Sequence, residues 1–204
     1  MHIHKVEPAK KHQVAVLIDG EKHLFDIDVW LLSGYRENVE ITESELETLY
    51  YKSEFTRAKN KAVWLLSNKD YTRKQLFDKL KPDFNEGAID EALTWLVDNG
   101  LQNDLVYARA FASFCMSQKK LAPPAIKMEL RAKGIERDDI DCVIMELEET
   151  FDPQSQISEL ISQKYPNALK DESEKRRAVA ALQRKGYYYG DIKTALNLLT
   201  EEEY

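Results

Sequence analysis

The chain has 204 residues, of which 43% are hydrophobic, 10% aromatic and 32% charged, with a formal net charge of −7 at pH 7; this supports a packed core and excludes a disordered or collagenous chain. A pI near 5.3 argues against a dedicated duplex-DNA reader, whose phosphate contacts leave a basic domain, and no apolar run approaches the ~18 residues of a membrane span. Seven glycines and six prolines are few for an all-β fold of tight turns or for a Gly-rich phosphate loop, so helices are expected.

The first stretch, MHIHKVEPAKKHQ, alternates polar and apolar residues without a continuous hydrophobic run. It is therefore read as lacking a secretory leader, in a chain that stays in the cytoplasm, with His2 and His4 on an unstructured end. Gln13 to Ile18 and His23 to Ile27 flank Asp19-Gly20-Glu21-Lys22, and Asp-Gly between alternating apolar runs predicts a β-hairpin. Asp28 is placed to cap a short helical turn stopped at Gly34. Thr42-x-x-Glu45 is a capping box that opens a helix through Leu46, Leu49 and Tyr50, and from there the pattern is helical throughout.

The helical part repeats. Leu130, Lys133, Gly134, Asp139 and Ile140 recur as Leu182, Lys185, Gly186, Asp191 and Ile192, offset by 52 residues. A weaker copy upstream uses Leu76, Leu80, Ile89, Leu93 and Leu96, with Phe84 where the glycine stands in the others. Such a period signals stacked supersecondary units. In each unit the glycine follows a lysine that ends an apolar-periodic stretch, so it is placed to take the left-handed conformation that stops a helix, and the next helix is expected to open at Asp139 or Asp191. With first helices at about 57–67, 104–117 and 156–164, each unit is a three-helix bundle. Thr72-x-x-Gln75 and Asp104 supply caps, and Pro123 and Pro124 stand where a helix start tolerates proline. The expected division is a β-hairpin module with the start of a connecting helix over 1–55 and three-helix repeats over 56–102, 103–152 and 153–204.

Residues that carry chemistry are scarce. All four histidines, His2, His4, His12 and His23, precede the helical part, and Cys115 and Cys142 each sit inside an apolar helical pattern, as reduced core thiols do. There is no HExxH, Cys-x-x-Cys, G-x-S-x-G or GxxxxGK[ST] motif. The chain is therefore read as a non-enzyme that needs no metal and no cofactor. A three-helix unit is also compatible with helix-turn-helix DNA readers, but the third helix of the second unit, Asp138 to Glu149, is acidic and would face phosphates with the wrong sign. Charge is segregated: residues 57–81 hold eight Lys/Arg against Asp70 and Asp78, whereas 138–152 hold seven acids and no Lys or Arg.

The stretch Ala62 to Leu80, with Trp64, Leu65, Leu66, Tyr71, Thr72 and Leu76, followed by Ala88-Ile89 to Leu96, Asn103-Asp104-x-x-Tyr107-Ala108 and Ile126-x-x-Glu129-Leu130-x-x-Lys133-Gly134-Ile135, resembles the RecX family of regulators. The resemblance covers about residues 58–199, with Lys69, Thr72 and Asn103-Asp104 where the family often has Arg, Ser and a double Asp. It implies tandem three-helix repeats in an elongated, curved array. It also implies binding in the groove of the RecA filament on DNA, with restraint of the recombinase, ATPase and coprotease activities and so of recombination and repair. Given that, Arg73, Lys74, Lys127, Arg131, Lys133, Arg177 and Arg184 are the candidate contacts to filament or DNA, single- or double-stranded. Lys127 with Arg131, and Arg177 with Arg184, are spaced to share helix faces. Tyr107, Tyr187, Tyr188 and Tyr189 could stack on bases but are read first as core or rim residues. The alternative is a stand-alone nucleic-acid-binding repeat protein.

Overall fold

The structure is a computed structural model describing residues 1–202, with side chains through Thr200. The described residues form two compact units, Met1–Asn103 and a second beginning at Asp104.

The first unit opens with an antiparallel sheet of β1 (Ile3–Ala9), β2 (Gln13–Ile18) and β3 (Glu21–Asp26), in that order. The β2–β3 turn is Asp19-Gly20, with φ of 46° and 90°, the two left-handed positions a two-residue hairpin demands; it pairs Ile18 with Glu21, so β3 starts two residues before the predicted His23. Strand β1 corrects the reading of an unstructured end. Ile3 is buried and tied from both sides, by β2 and by residues 38–39, where its N–H donates to Val39 O at 3.0 Å and its carbonyl accepts from Asn38 N at 2.8 Å.

Helix α1 (Ile27–Ser33) is capped by Asp26, whose Oδ1 accepts from the N–H of Asp28 and Val29; Asp28, the expected cap, lies in the first turn. Gly34 ends the helix at φ 76°. The Thr42/Glu45 capping box forms and opens α2 (Glu43–Asn68). This helix runs unbroken past residue 55, with neither Gly nor Pro between its ends. Its first half buries Leu46 and Leu49 against the sheet and Trp30. Its second half buries Ala62 against Leu76 and Leu80 of α3 (Arg73–Leu80) and Ile89, Leu93 and Leu96 of α4 (Glu86–Asp98). Thr72 and Gln75 form the second capping box.

The second unit holds two further three-helix sets, α5 (Asp104–Ser117), α6 (Pro123–Ala132) and α7 (Arg137–Glu148), then α8 (Pro153–Lys164), α9 (Glu172–Arg184) and α10 (Tyr189–Glu202). Asp104 is the first residue of α5, while α7 and α10 each open two residues before the expected Asp139 and Asp191. The lysine-glycine corners form as predicted. Gly134 and Gly186 have φ of 78° and 93°. Ile135 N–H reaches Leu130 O and Gly134 N–H reaches Arg131 O, as Tyr187 and Gly186 reach Leu182 and Gln183. Each corner is a Schellman motif with its apolar clasp, Ile135 on Leu130 and Tyr187 on Leu182. Gly100, at φ 68° after α4, is closed the same way by Leu101 N–H on Leu96 O.

The two sets of the second unit dock through the start of α6. Ala122 is buried in the core of α8–α10, and its N–H donates to Lys185 O at 2.9 Å. Tyr187 is buried, and its hydroxyl is shared between Gln156 Oε1 at 2.9 Å and Lys120 O at 3.2 Å; burial pushes the phenol up to about 12. Tyr187→Phe should therefore leave two part-buried acceptors without this donor and cost ~1 kcal/mol, measurable by denaturant melts. Cys115 is fully buried, but Cys142 is half-exposed on the side of α7, with its Sγ 3.4 Å from Glu146 Oε1, a correction to its reading as a core thiol.

Candidate partner-binding surface

The structure places the seven basic candidates in two units and gives them different electrostatic settings. Arg73, in the first turn of α3, pairs with Asp90 of α4 at 3.3 Å, while its neighbour Lys74 is exposed. Lys127 is half-buried and turned onto Asp141 of α7 at 2.6 Å; that carboxylate also takes Arg137 at 3.4 Å. Lys127 first, then Arg137, holds the Asp141 carboxyl below its usual range. Lys127 and Arg131 are thus not an equivalent pair on one solvent face, because Lys127 is already neutralised whereas Arg131 is exposed. Lys133 lies over the Phe111 ring, 4.2 Å from its centroid, and near Tyr107 at 5.7 Å. Arg177 pairs with Glu174 within α9, and Arg184 at the end of that helix is exposed. Among the described residues, Lys74, Arg131 and Arg184 are the candidates left facing solvent without an ion pair. Of the tyrosines, Tyr188 and Tyr189 are exposed, Tyr107 stacks on Phe111, and Tyr187 belongs to the core.

Corresponding repeat positions use different chemistry for the same contact. Lys59 lies over Trp95, 4.9 Å from the ring centroid. At the matching places in the next repeat, Arg109 grips Glu146 through both Nε and Nη2, at 2.9 and 2.6 Å, and the pair drives the guanidinium up and the carboxyl down.

A cleft of about 400 Å³, unpredicted from sequence, lies in the first unit between the β1–β2 turn and α2, lined by Lys11, His12, Asp26, Arg57, Asn60, Lys61, Asp83 and Phe84. Lys11 and Arg57 are too far apart in the chain for any local pattern to join them. At its edge His12, Asp26 and Asp28 bring one donor atom each to within 4.8 Å of one another. These side chains already have partners. Asp26 caps α1, and His12 Nε2 meets Asp28 Oδ2 at 3.1 Å, a contact that raises the His12 pKa. The His12–Asp28 attraction is therefore present at low pH and fades as pH rises through that raised value. In an NMR titration His12 should titrate above an unperturbed histidine, and Asp28→Asn should lower its pKa, since Asp28 is the main cause of the rise.

Residues 58–96 match the family description "RecX, first three-helix domain" and residues 103–144 match "RecX, second three-helix domain". Over nearly its whole length the chain is 30% identical to the regulatory protein RecX of Clostridioides difficile (strain 630), in an alignment of 211 residues covering 99% of this chain and 98% of that one. The chain belongs to the RecX family. A second RecX, from Caldanaerobacter subterraneus subsp. tengcongensis, is 32% identical over 195 residues, covering 95% of this chain and 96% of that one. A crystal structure of RecX from Lactobacillus salivarius superposes with a TM-score of 0.62 at 25% identity, covering 72% of this chain and 96% of that one. A further RecX crystal structure, with a TM-score of 0.69 at 20% identity over 95% of this chain and 98% of that one, shares the fold. RecX is a family of regulatory proteins, and no helix among the described residues is long and apolar enough to cross a membrane.

Proposed function

We propose that the chain binds the RecA recombinase filament on DNA and restrains its recombinase, ATPase and coprotease activities, acting by binding alone and without a cofactor. The observation that carries this reading is the near full-length relatedness to regulatory protein RecX. The placement of charge supports it. Lys74, Arg131 and Arg184 face solvent unneutralised, so they can meet an acidic groove without first breaking an internal pair, whereas Lys127 cannot.

ATP hydrolysis by a RecA filament on single-stranded DNA tests this reading. The protein should suppress the hydrolysis, and reversing Lys74, Arg131 and Arg184 together to Glu should weaken suppression by about tenfold or more, each decade being worth about 1.4 kcal/mol, with the helical circular dichroism unchanged. Glu148 and Glu149 of the acidic helix end are exposed, and reversing them to Lys serves as the control expected to leave suppression intact. The effect of the basic residues should fade with salt, since exposed charges are screened beyond ~10 Å at 0.1 M. Equal loss from both sets of reversals, or from neither, would assign recognition to another surface.

A further inference from the structure

We propose that a pocket of the second unit binds a small aliphatic diamine, its two ammonium charges matched to the carboxylates of Glu148 and Asp191 and its carbon chain laid against the rings of Phe151, Tyr187 and Tyr188. The inference does not rest on the regulation of RecA, because Lys74, Arg131 and Arg184 are not among the residues that line the pocket.

The pocket encloses about 170 Å³, below the ~300–1,000 Å³ of sites that take drug-sized ligands, so it suits a short chain of heavy atoms and not a nucleotide. Elements distant in the sequence build it. Glu148 ends α7, Phe151 lies in the link to α8, Tyr187 and Tyr188 form the corner between α9 and α10, and Asp191 stands in the first turn of α10. Phe151 and Tyr187 stack with ring centroids 6.1 Å apart, and the burial of Tyr187 fixes that wall, whereas Tyr188 is 68% exposed and stands at the mouth.

The sign of the ligand follows from what the lining offers. Glu148 and Asp191 bring two negative charges, and among the described residues no Lys, Arg or His lines the pocket and neither carboxylate is engaged in an ion pair or hydrogen bond. The donors an anion would need are missing or spent. Pro123, Pro124 and Pro153 have no N–H, and the N–H groups of Ala122, Gly186 and Tyr187 close onto Lys185, Gln183 and Leu182 carbonyls. The Tyr187 hydroxyl serves Gln156 and Lys120. Uncommitted carboxylate beside aromatic face is the combination that holds an alkylammonium ion. Two carboxylates match a dication better than the single charge of a lysine side chain, and a hydrated inorganic dication would leave the aromatic wall unused.

The test is isothermal titration calorimetry of putrescine into the full chain at low salt, without RecA or DNA. Putrescine should bind saturably, and n-butylamine, which carries a single charge, should bind about tenfold more weakly. Glu148→Gln and Asp191→Asn should each weaken putrescine by about tenfold, the loss of one charge-assisted hydrogen bond. Tyr188→Ala should weaken it about threefold, while Tyr188→Phe, which keeps the ring face, should bind as the parent does. Glu149→Gln removes a charge from the neighbouring exposed residue, which does not line the pocket, and should change nothing; this separates the site from the general attraction of cations to an acidic chain. Circular dichroism of each variant confirms folding. The proposal is overturned if putrescine shows no saturable binding, if Glu149→Gln weakens it as much as Glu148→Gln does, or if magnesium at the same concentration displaces it. It is also overturned if lysine capped at both ends binds as tightly, which would assign the pocket to a lysine side chain of a protein. Filament regulation is read by ATP hydrolysis in a separate assay without diamine, so either idea can fail while the other stands.

Discussion

Truncating Leu130 or Leu182 to alanine should destabilise the second unit by ~2–5 kcal/mol, the cost of deleting a buried Leu side chain that its surroundings cannot refill. Both are essentially inaccessible, at 0% and 1% exposure, and both stand three residues before the helix-ending lysine, on the inner face of the repeat's second helix. Each also holds the apolar clasp of a Schellman corner, against Ile135 and Tyr187 respectively, so the truncation opens a cavity beside the turn that sets the direction of the following helix. Leu80, at 0% exposure in α3, is the counterpart in the first unit. For a unit of this size the expected loss corresponds to a fall in the thermal midpoint of order 10 °C, read by circular dichroism. If Leu130→Ala and Leu182→Ala both left the midpoint unmoved, the repeats would not share a core position.

The second large effect is expected at Gly186 and separates two reasons for requiring glycine. At Gly100, φ is 68° and an added Cβ would meet nothing within 4 Å. Gly100→Ala should therefore cost only the strain of a left-handed alanine, ~1–2 kcal/mol. At Gly186, φ is 93° and an added Cβ would lie 2.8 Å from both the backbone N and the Cβ of Ala125. Those atoms belong to the first turn of α6 and cannot rotate away, so Gly186→Ala carries the same strain plus the cost of overpacking, ~1–3 kcal/mol more. It should loosen the packing between the α5–α7 and α8–α10 sets, where Ala122 N–H meets Lys185 O. Urea melts of the two variants should order them clearly, with Gly186→Ala the less stable; equal midpoints would mean that the two sets do not pack as closely as Ala125 and Gly186 do here.

The features legible in the sequence are those whose physics is local. The Thr42/Glu45 and Thr72/Gln75 boxes and the Lys133-Gly134 and Lys185-Gly186 corners each form within a few residues, so spacing alone is enough to locate them. Strand β1 is only partly legible, because the alternation of Met1, His2, Ile3 and His4 breaks at Lys5, where the pairing slips between Ile3 and Lys5, so the period that marks a strand is too short to stand out. The cap of α1 falls two residues from its expected place because Asp26 and Asp28 are equivalent as amino acids. The pairing of Asp26 with Gln13 holds the former outside the helix. At the candidate surface, the segregation of charge is visible in the sequence but its neutralisation is not. Lys127 finds Asp141 across a helix corner, 14 residues away, whereas Arg131 on the same helix meets no acid among the described residues. The cleft is out of reach for the same reason, since only the folded sheet sets Lys11 beside Arg57.

The most direct measurement of filament regulation compares two titrations with the same single-stranded DNA, one bare and one coated by a preformed RecA filament, with the protein added at matched DNA concentration and moderate salt. Binding to the filament should be tighter than to bare DNA and should weaken when Lys74, Arg131 and Arg184 are reversed together. Equal or tighter binding to the bare strand, with no added affinity from the filament, would contradict regulation through RecA and leave the chain a nucleic-acid-binding repeat protein.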